Sequence, residues 1–142
     1  MKIKRLISVI SVILVICLTV SCLAACGMGL DKDKAKEDMI AFLREIKDGD
    51  FEGAKTYLHP SFTDDIEPFF NEVEENYDID FQSGITILGY SGTYYAAYTS
   101  EVDGSAYELD FDIEISGKEL DVTISVVEND LGYGIYGFRI DD

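Results

Sequence analysis

Acidic side chains alternate along two neighbouring stretches of the chain, where they could bind a cation. They are Asp110, Asp112, Glu114, Glu119 and Asp121. A two-residue turn at Ser116-Gly117 would place Asp112 opposite Asp121 on paired strands, where like charges are unfavourable by roughly 0.2–1 kcal/mol. A divalent cation bound between the carboxylates would turn this repulsion into attraction, and oxygen ligands favour Ca²⁺. The alternative is a solvated acidic face that discourages association between sheets, since no loop has calcium-binding spacing.

Tyrosines form the second candidate set: Tyr77, Tyr94, Tyr98 and Tyr107. A buried tyrosine needs a hydrogen-bond partner for its hydroxyl, so such a cluster could line a pocket for a small apolar ligand. The alternative is that the rings simply fill the core. No carboxylate is expected beside them, and without one there is no general acid or base, so we predict no catalysis.

The rarer reactive residues exclude several classes of site. The single histidine, His59, precedes Pro60 at a predicted helix end and is more consistent with a structural role than with a catalytic one. Two of the three cysteines, Cys17 and Cys22, lie in the N-terminal apolar stretch that we interpret below as a cleaved signal. The one cysteine and one histidine that remain are too few for the usual zinc clusters, and no cofactor is expected. The net charge of −17 argues against a nucleic-acid partner, whose recognition needs a basic surface.

The first 25 residues have the features of a secretory signal: a basic cluster, an uncharged apolar run over residues 6–25, and small residues at its end. The Leu-Ala-Ala-Cys sequence at residues 23–26 resembles the lipobox of bacterial lipoproteins. That resemblance implies cleavage before Cys26, a diacylglyceryl group on its sulfur, and anchoring to the extracytoplasmic face of the cell membrane. Residues 26–30 would then be the lipidated cysteine and a tether, of which residues 27–30 reach at most about 14 Å.

Two alternatives to this anchor remain. The apolar run is long enough to span a bilayer as an uncleaved helix, which needs about 20 residues. Cys22 is a second possible lipidation site, although the residues before it lack the expected apolar side chain. Most basic residues after the signal precede residue 56, so we expect the first helix to face the membrane and the acidic remainder to point away.

Helical periodicity dominates the first part of residues 31–142, which we predict to be one domain. Residues 31–48 form an amphipathic pattern that Asp31 or Asp33 can cap and Gly49 can end. Asp50 can cap a shorter helix that ends before Pro60. A third helical segment starts near residue 63, and Pro68 fits only if the main helix begins next to it.

From residue 85 onward the period is two, which predicts strands. Two-residue turns at Ser91-Gly92, Asp103-Gly104 and Ser116-Gly117 would place Ile87 opposite Ala96, Tyr98 opposite Leu109, Phe111 opposite Val122 and Leu109 opposite Ile124. One sheet face would then be apolar: Ile85, Ile87, Tyr94, Ala96, Tyr98, Tyr107, Leu109, Phe111, Ile113, Leu120, Val122, Ile124 and Val126. With a last strand over residues 134–140, the prediction is α+β, with N-terminal helices packed on an antiparallel meander.

The opposite face of this predicted sheet carries a second kind of candidate surface. Leu88, Tyr90, Tyr95 and Ala97 would lie there beside the acids. An exposed apolar patch of this kind could bind a protein partner or a second copy in a homodimer.

Two short stretches suggest a family. Gly-Asp-Phe-Glu-Gly-Ala at residues 49–54 joins two predicted helices, and Ile-Tyr-Gly-Phe-Arg-Ile at residues 135–140 ends the predicted sheet. With the order of elements, residues 31–140 look like the nuclear-transport-factor-2-like (SnoaL/ketosteroid-isomerase-like) superfamily, and in particular like small exported lipoproteins with such domains. The resemblance implies a cone of helices over a curved sheet, often with a pocket between them. It leaves open an isomerase- or dehydratase-type enzyme and an interaction module, beside the non-catalytic binding domain that we expect.

Overall fold

The computed structural model describes residues 29–98 and 103–142, without the side chains of residues 95–98. The predicted signal and lipidation site at Cys26 therefore lie outside the described residues, as do the side chains of Tyr95, Ala97 and Tyr98. Among the described residues, no helix has the length and hydropathy needed to cross a membrane.

The first helix, α1, runs over Lys32–Asp48 and begins and ends as its sequence predicts. The Asp31 carboxylate accepts hydrogen bonds from the first free backbone N–H groups, and Gly49 adopts a left-handed conformation that closes the last turn. One face of α1 is buried: Ala35, Met39, Phe42, Leu43 and Ile46. This is the periodic apolar set of the sequence, so the prediction for this element is confirmed.

Two further helices follow. Helix α2 (Phe51–Lys55) is capped by Asp50, and helix α3 (Ile66–Tyr77) is capped by Asp65. Pro68 lies in the first turn of α3, where its missing N–H has no intrahelical acceptor to lose. A short 3₁₀ turn, Phe81–Ser83, leads into the sheet.

Four strands in the described part of the chain form an antiparallel meander in the order β1-β2-β3-β4. They are β1 (Thr86–Tyr98), β2 (Asp103–Ile115), β3 (Lys118–Asn129) and β4 (Gly132–Asp141). Helices therefore precede an antiparallel sheet, and the fold is α+β as predicted. The Ser116-Gly117 turn is also confirmed: both residues have positive φ, and Phe111 lies opposite Val122 and Leu109 opposite Ile124.

The two other predicted turns are wrong. Ser91 and Gly92 lie inside β1, and the Tyr107 ring crosses Gly92 so closely that a Cβ there would collide with the Tyr107 hydroxyl oxygen. Glycine at this position serves a close approach rather than a turn. Asp103 begins β2 and pairs with Tyr98, so the connection is residues 99–102, outside the described residues.

The register of β1 differs accordingly. Ile87 lies opposite Ile113 rather than Ala96, and Tyr98 lies opposite Asp103 rather than Leu109. An irregularity between Ile87 and Gly89 makes Leu88 the extra residue of a β-bulge. Beyond the bulge the alternation is reversed, because one inserted residue exchanges the two faces.

The hydrophobic core lies between the helices and one face of β2, β3 and β4. The predicted inward residues of β2 and β3 are buried, except Tyr107, which is only partly buried. The buried ones are Leu109, Phe111, Ile113, Leu120, Val122, Ile124 and Val126. Phenylalanines fill the space above them, with Phe70 in ring contact with Phe42, Phe69 and Phe138 at centroid distances of 5.2–6.0 Å. The region beneath the helices is therefore packed with rings.

Candidate functional site

The most unusual surface of the molecule lies on β1. Four of its apolar side chains are solvent-exposed: Ile87 (36 %), Leu88 (53 %), Tyr90 (54 %) and Tyr94 (44 %). Among the described residues, the only other large apolar side chain in this state is Leu131, on the β3–β4 connection. We call these four residues the exposed β1 surface. Single exposed apolar residues are ordinary on a protein surface, whereas a group of them on one strand marks an interaction site.

Three of these residues lie on the helix side of the sheet. Tyr90 is directly opposite Phe111 and Tyr94 is directly opposite Tyr107, so both tyrosines share the face that forms the core. The prediction that Tyr90 points to the outer face is wrong, because the bulge at Leu88 exchanges the faces. Ile87, opposite Ile113, is predicted correctly as an inner-face residue, but it is not buried.

The exposure has a simple cause in the position of the helices. Helix α1 packs on β2 and β3, and the phenylalanine cluster lies over β4 through Phe138. The inner face of β1 extends beyond this cover. Lys32 and Lys36, one turn apart on α1, reach this exposed part of β1.

The two lysines lie over the two exposed tyrosine rings. Lys32 Nζ is 4.8 Å from the ring centroid of Tyr94, and Lys36 Nζ is 5.2 Å from that of Tyr90. Lys36 Nζ also donates a hydrogen bond to the Tyr90 hydroxyl at 3.4 Å, and this bond is the main cause that raises the pKa of Lys36. Cations over aromatic faces are held by the ring quadrupole, so the exposed β1 surface has a positive margin on its helix side.

A sequence feature distinguishes this strand from the others. Residues 81–100 contain no Asp, Glu, Lys or Arg, in a chain whose net charge is −17. β1 pairs only with β2 in the described part of the chain, so its other edge is free. Edge strands usually carry charges or proline that prevent pairing with another chain, and β1 has neither. This absence of charge was the sequence signal that could have identified the site.

Of the tyrosines predicted to line one pocket, Tyr77 lies apart from Tyr94 and Tyr107, and the side chain of Tyr98 is outside the described part of the structure. Tyr77 lies at the β4 side of the sheet, where its hydroxyl donates to the Ile140 carbonyl oxygen at 3.3 Å. Tyr94 and Tyr107 face each other on β1 and β2, near the opposite edge. Tyr77 lines a groove of about 250 Å³, together with Phe138 and Ile140, which neither Tyr94 nor Tyr107 reaches. The predicted pocket is replaced by two separate tyrosine environments, because the phenylalanine rings occupy the space between them.

The acidic residues lie on the outer face of the sheet in the predicted register. Asp112 is opposite Asp121, and Glu114 is opposite Glu119. Further along β2, the acidic side chains accept hydrogen bonds from hydroxyl groups of β3. Thr123 Oγ1 donates to Asp110 at 2.8 Å. No three acidic, histidine or cysteine side chains of the described residues come close enough to hold a metal ion.

The second acid–hydroxyl contact and an arginine complete this outer surface. Ser125 Oγ donates to Glu108 at 2.8 Å, and Arg139 donates to Thr123 at 3.3 Å and to Asp141 at 2.6 Å. Hydroxyl groups and the Arg139 guanidinium therefore donate hydrogen bonds to several of the carboxylates on this outer face. The sequence did not reveal this partnership, because Thr123 and Ser125 show no pattern beyond strand alternation.

His59 is buried and joins the helices to the sheet. Its Nδ1 accepts from the Ser61 backbone N–H at 3.1 Å, which leaves Nε2 to donate to the Asn129 side-chain oxygen at 3.1 Å. An open groove of about 450 Å³ passes beside it, lined also by Pro60, Phe62 and Asp64. Both ring nitrogens of His59 therefore have hydrogen-bond partners within the fold.

No family model matches the chain, and neither the curated proteins nor the solved structures contain a significant match to it.

Proposed function

We propose that this chain is a lipid-anchored protein of the extracytoplasmic membrane face, whose domain binds a partner through the exposed β1 surface and catalyses no reaction. The proposal includes the assignment of residues 31–142 to the nuclear-transport-factor-2-like type. Helices followed by an antiparallel meander support that assignment at the level of element order.

The observation that carries the binding role is the position of the exposed apolar residues. Leu88, Tyr90 and Tyr94 are exposed on an uncharged edge strand, although the chain as a whole is strongly acidic. Contact with a partner would remove this apolar area from water, which is the main driving force of association.

The packing beneath the helices favours binding over catalysis. An enzyme of this fold type needs a cavity with an acid or base inside, and the space here is filled by Phe42, Phe70 and Phe138. The carboxylates of β2 are directed to the other side of the sheet, where Asp110 accepts from Thr123. The sheet thus separates the acids from the apolar interior.

The position of the site relative to the proposed anchor supports its use near a membrane. The residues between Cys26 and Lys32 span at most about 22 Å. Lys32 in turn contacts the Tyr94 ring. A partner bound to the exposed β1 surface would therefore be held close to the bilayer, and anionic headgroups would attract the lysines at its margin.

Mass spectrometry of the chain from bacterial membranes tests the anchor. We expect a mature N-terminus at Cys26 carrying a diacylglyceryl group, and we expect Cys26→Ser to abolish cleavage and lipid attachment. Cys22→Ser is the matched control and should leave both unchanged. An intact N-terminus at Met1 in the native chain would contradict the proposal.

Native electrophoresis of mildly solubilised membranes tests the binding surface. We expect the chain to migrate in a species larger than one copy, and Leu88→Lys with Tyr90→Lys to convert it to the single-copy form. Leu131→Lys, which changes an exposed apolar residue elsewhere, should have no effect. Identical single-copy migration of all three proteins would show that β1 binds nothing under these conditions.

A further inference from the structure

We propose that the occupant of the exposed β1 surface is a second copy of this chain, which joins edge to edge so that β1 pairs with β1 in one continuous antiparallel sheet. The inference rests on the proposed function, in that it names the partner of the same surface. A two-fold axis through such a contact places the same residues on both sides, as in most homodimers.

The backbone of β1 is suited to strand addition. The strand is 13 residues long and has a neighbour only on its β2 side in the described part of the chain. Its other side therefore presents unpaired N–H and C=O groups that a second strand can satisfy. No proline interrupts it, and the bulge at Leu88 lies near one end, so the residues from Gly89 onward form an uninterrupted ladder.

The distribution of charge selects a copy of the chain itself as a partner for this edge. Two molecules of net charge −17 repel each other over most of their surfaces. Joining at β1 brings two uncharged strands together and keeps the nearest acidic strands, β2 and its copy, three strand spacings or about 14 Å apart. This exceeds the Debye length of about 8 Å at physiological ionic strength, so the acids of the two β2 strands are largely screened from each other.

The other edge of the sheet does not offer this arrangement. β4 itself carries charges, on Arg139 and Asp141. Joining at β4 would bring these charged side chains of two copies onto adjacent strands about 5 Å apart, where like charges are unfavourable. Of the two edges in the described sheet, β1 is the one that a second copy can approach with little repulsion.

The apolar side chains supply the energy of the contact. Pairing of the two strands over their full length places the two-fold axis at Gly92, so Tyr90 of each copy lies opposite Tyr94 of the other. Ile87 and Leu88 extend this apolar surface toward its ends. Aromatic and β-branched pairs on adjacent strands are among the favourable cross-strand contacts. The lysines over the tyrosine rings remain at the margin on the helix side, where they stay hydrated.

Site-specific photocrosslinking of the full chain in intact bacteria tests the proposal. A benzophenone amino acid replaces Leu88, Tyr94 or, as the control, Leu131. We expect the two β1 positions to give a product of twice the chain mass, in which mass spectrometry finds β1 peptides joined to β1 peptides, and the control to give little of it. A β1 product with another protein or a lipid overturns the second copy but leaves β1 as a binding surface. No product from β1 at all overturns the proposed function as well.

Charges introduced at one position of β1 separate a lost contact from a lost fold. Two differently tagged full chains are co-expressed, and the recovery of one with the other is measured. Thr93→Lys in both copies should lower recovery about tenfold, which corresponds to about 1.4 kcal/mol. Thr93→Lys co-expressed with Thr93→Glu should restore it, because opposite charges then meet across the contact. Unchanged recovery with lysine in both copies, or no restoration by the mixed pair, overturns the proposal.

Discussion

The His59 ring donates a hydrogen bond from Nε2 to the side-chain oxygen of Asn129, and this contact fastens the helical half of the domain to the sheet. The same Asn129 oxygen accepts from the backbone N–H groups of Leu131 and Gly132, and the Asn129 amide donates to the Asp103 carbonyl oxygen at 2.9 Å. One side chain therefore holds the helix end, the β3–β4 connection and the start of β2.

We expect Asn129→Ala to be among the more destabilising polar substitutions in the chain. It leaves the buried His59 donor without an acceptor and frees the β3–β4 connection, which should lower the free energy of unfolding by about 2–3 kcal/mol. Urea unfolding measures this value. Asn71→Ala is the matched control, since Asn71 is exposed on α3 and alanine favours the helix. Equal effects of the two substitutions would contradict the role assigned to Asn129.

Gly134 permits a second contact between the helical half of the domain and the sheet. His59 N–H donates to the Ile135 carbonyl and Ile135 N–H donates to the Tyr57 carbonyl, both at 2.8 Å, so two chain segments run side by side there. A Cβ on Gly134 would lie 2.5 Å from the His59 backbone nitrogen. Gly134→Ala should therefore cost about 1–3 kcal/mol of stability through this collision.

Gly137 provides the comparison for that prediction. It lies on the same strand, and a Cβ there would meet no atom within 4 Å. Gly137→Ala should be neutral or slightly stabilising, because alanine loses less conformational entropy on folding. Thermal unfolding midpoints of the two variants give the test, and a Gly137→Ala midpoint as low as that of Gly134→Ala would show that the collision is not the cause.

The helices and the β2–β3 hairpin were predictable from sequence because their signals are local. In α1 the capping residue Asp31, the apolar period and Gly49 all indicate the same limits. At Ser116-Gly117 both turn residues have the positive φ that a two-residue hairpin needs. No distant residue has to be known for either element.

The course of β1 was not predictable, because distant residues determine it. Ser91-Gly92 has the composition of a turn, yet Tyr107 on the next strand requires a residue without a side chain at Gly92. The bulge at Leu88 then exchanges the faces that period two assigns to Tyr90. The candidate site follows from this strand, so the sequence predicted its residues only in part and placed Tyr90 on the wrong face.

Tyr133 makes the stability of the folded protein decrease at high pH. Its hydroxyl donates to the Asp38 carboxylate at 2.8 Å, and burial, together with this carboxylate, raises the pKa of Tyr133 far above its ordinary value of 10.0. The neutral form is therefore favoured in the folded state. Its contribution to stability is complete below about pH 10 and is lost as the pH rises from there toward the folded-state pKa.

Tyr133→Phe should remove this part of the pH dependence. The variant is expected to be less stable than the native chain at pH 8, because the bond to Asp38 is missing, and to lose less further stability between pH 9.5 and 11. Chemical unfolding at several pH values measures both effects. A Tyr133→Phe slope equal to the native one would contradict the assignment.

Phe70 tests whether the interior is filled as the structure shows. Its ring contacts five other phenylalanines and is 2 % exposed, so Phe70→Ala should leave a cavity and lower the free energy of unfolding by about 3–5 kcal/mol. An apolar cavity of this kind binds benzene, which should raise the thermal midpoint of Phe70→Ala and leave that of the native chain almost unchanged. Phe70→Leu, which keeps most of the volume, should lose less stability and respond less to benzene. A native chain that responds to benzene as strongly as Phe70→Ala would instead indicate an open pocket beneath the helices. That result would support the prediction that the domain binds a small apolar ligand there.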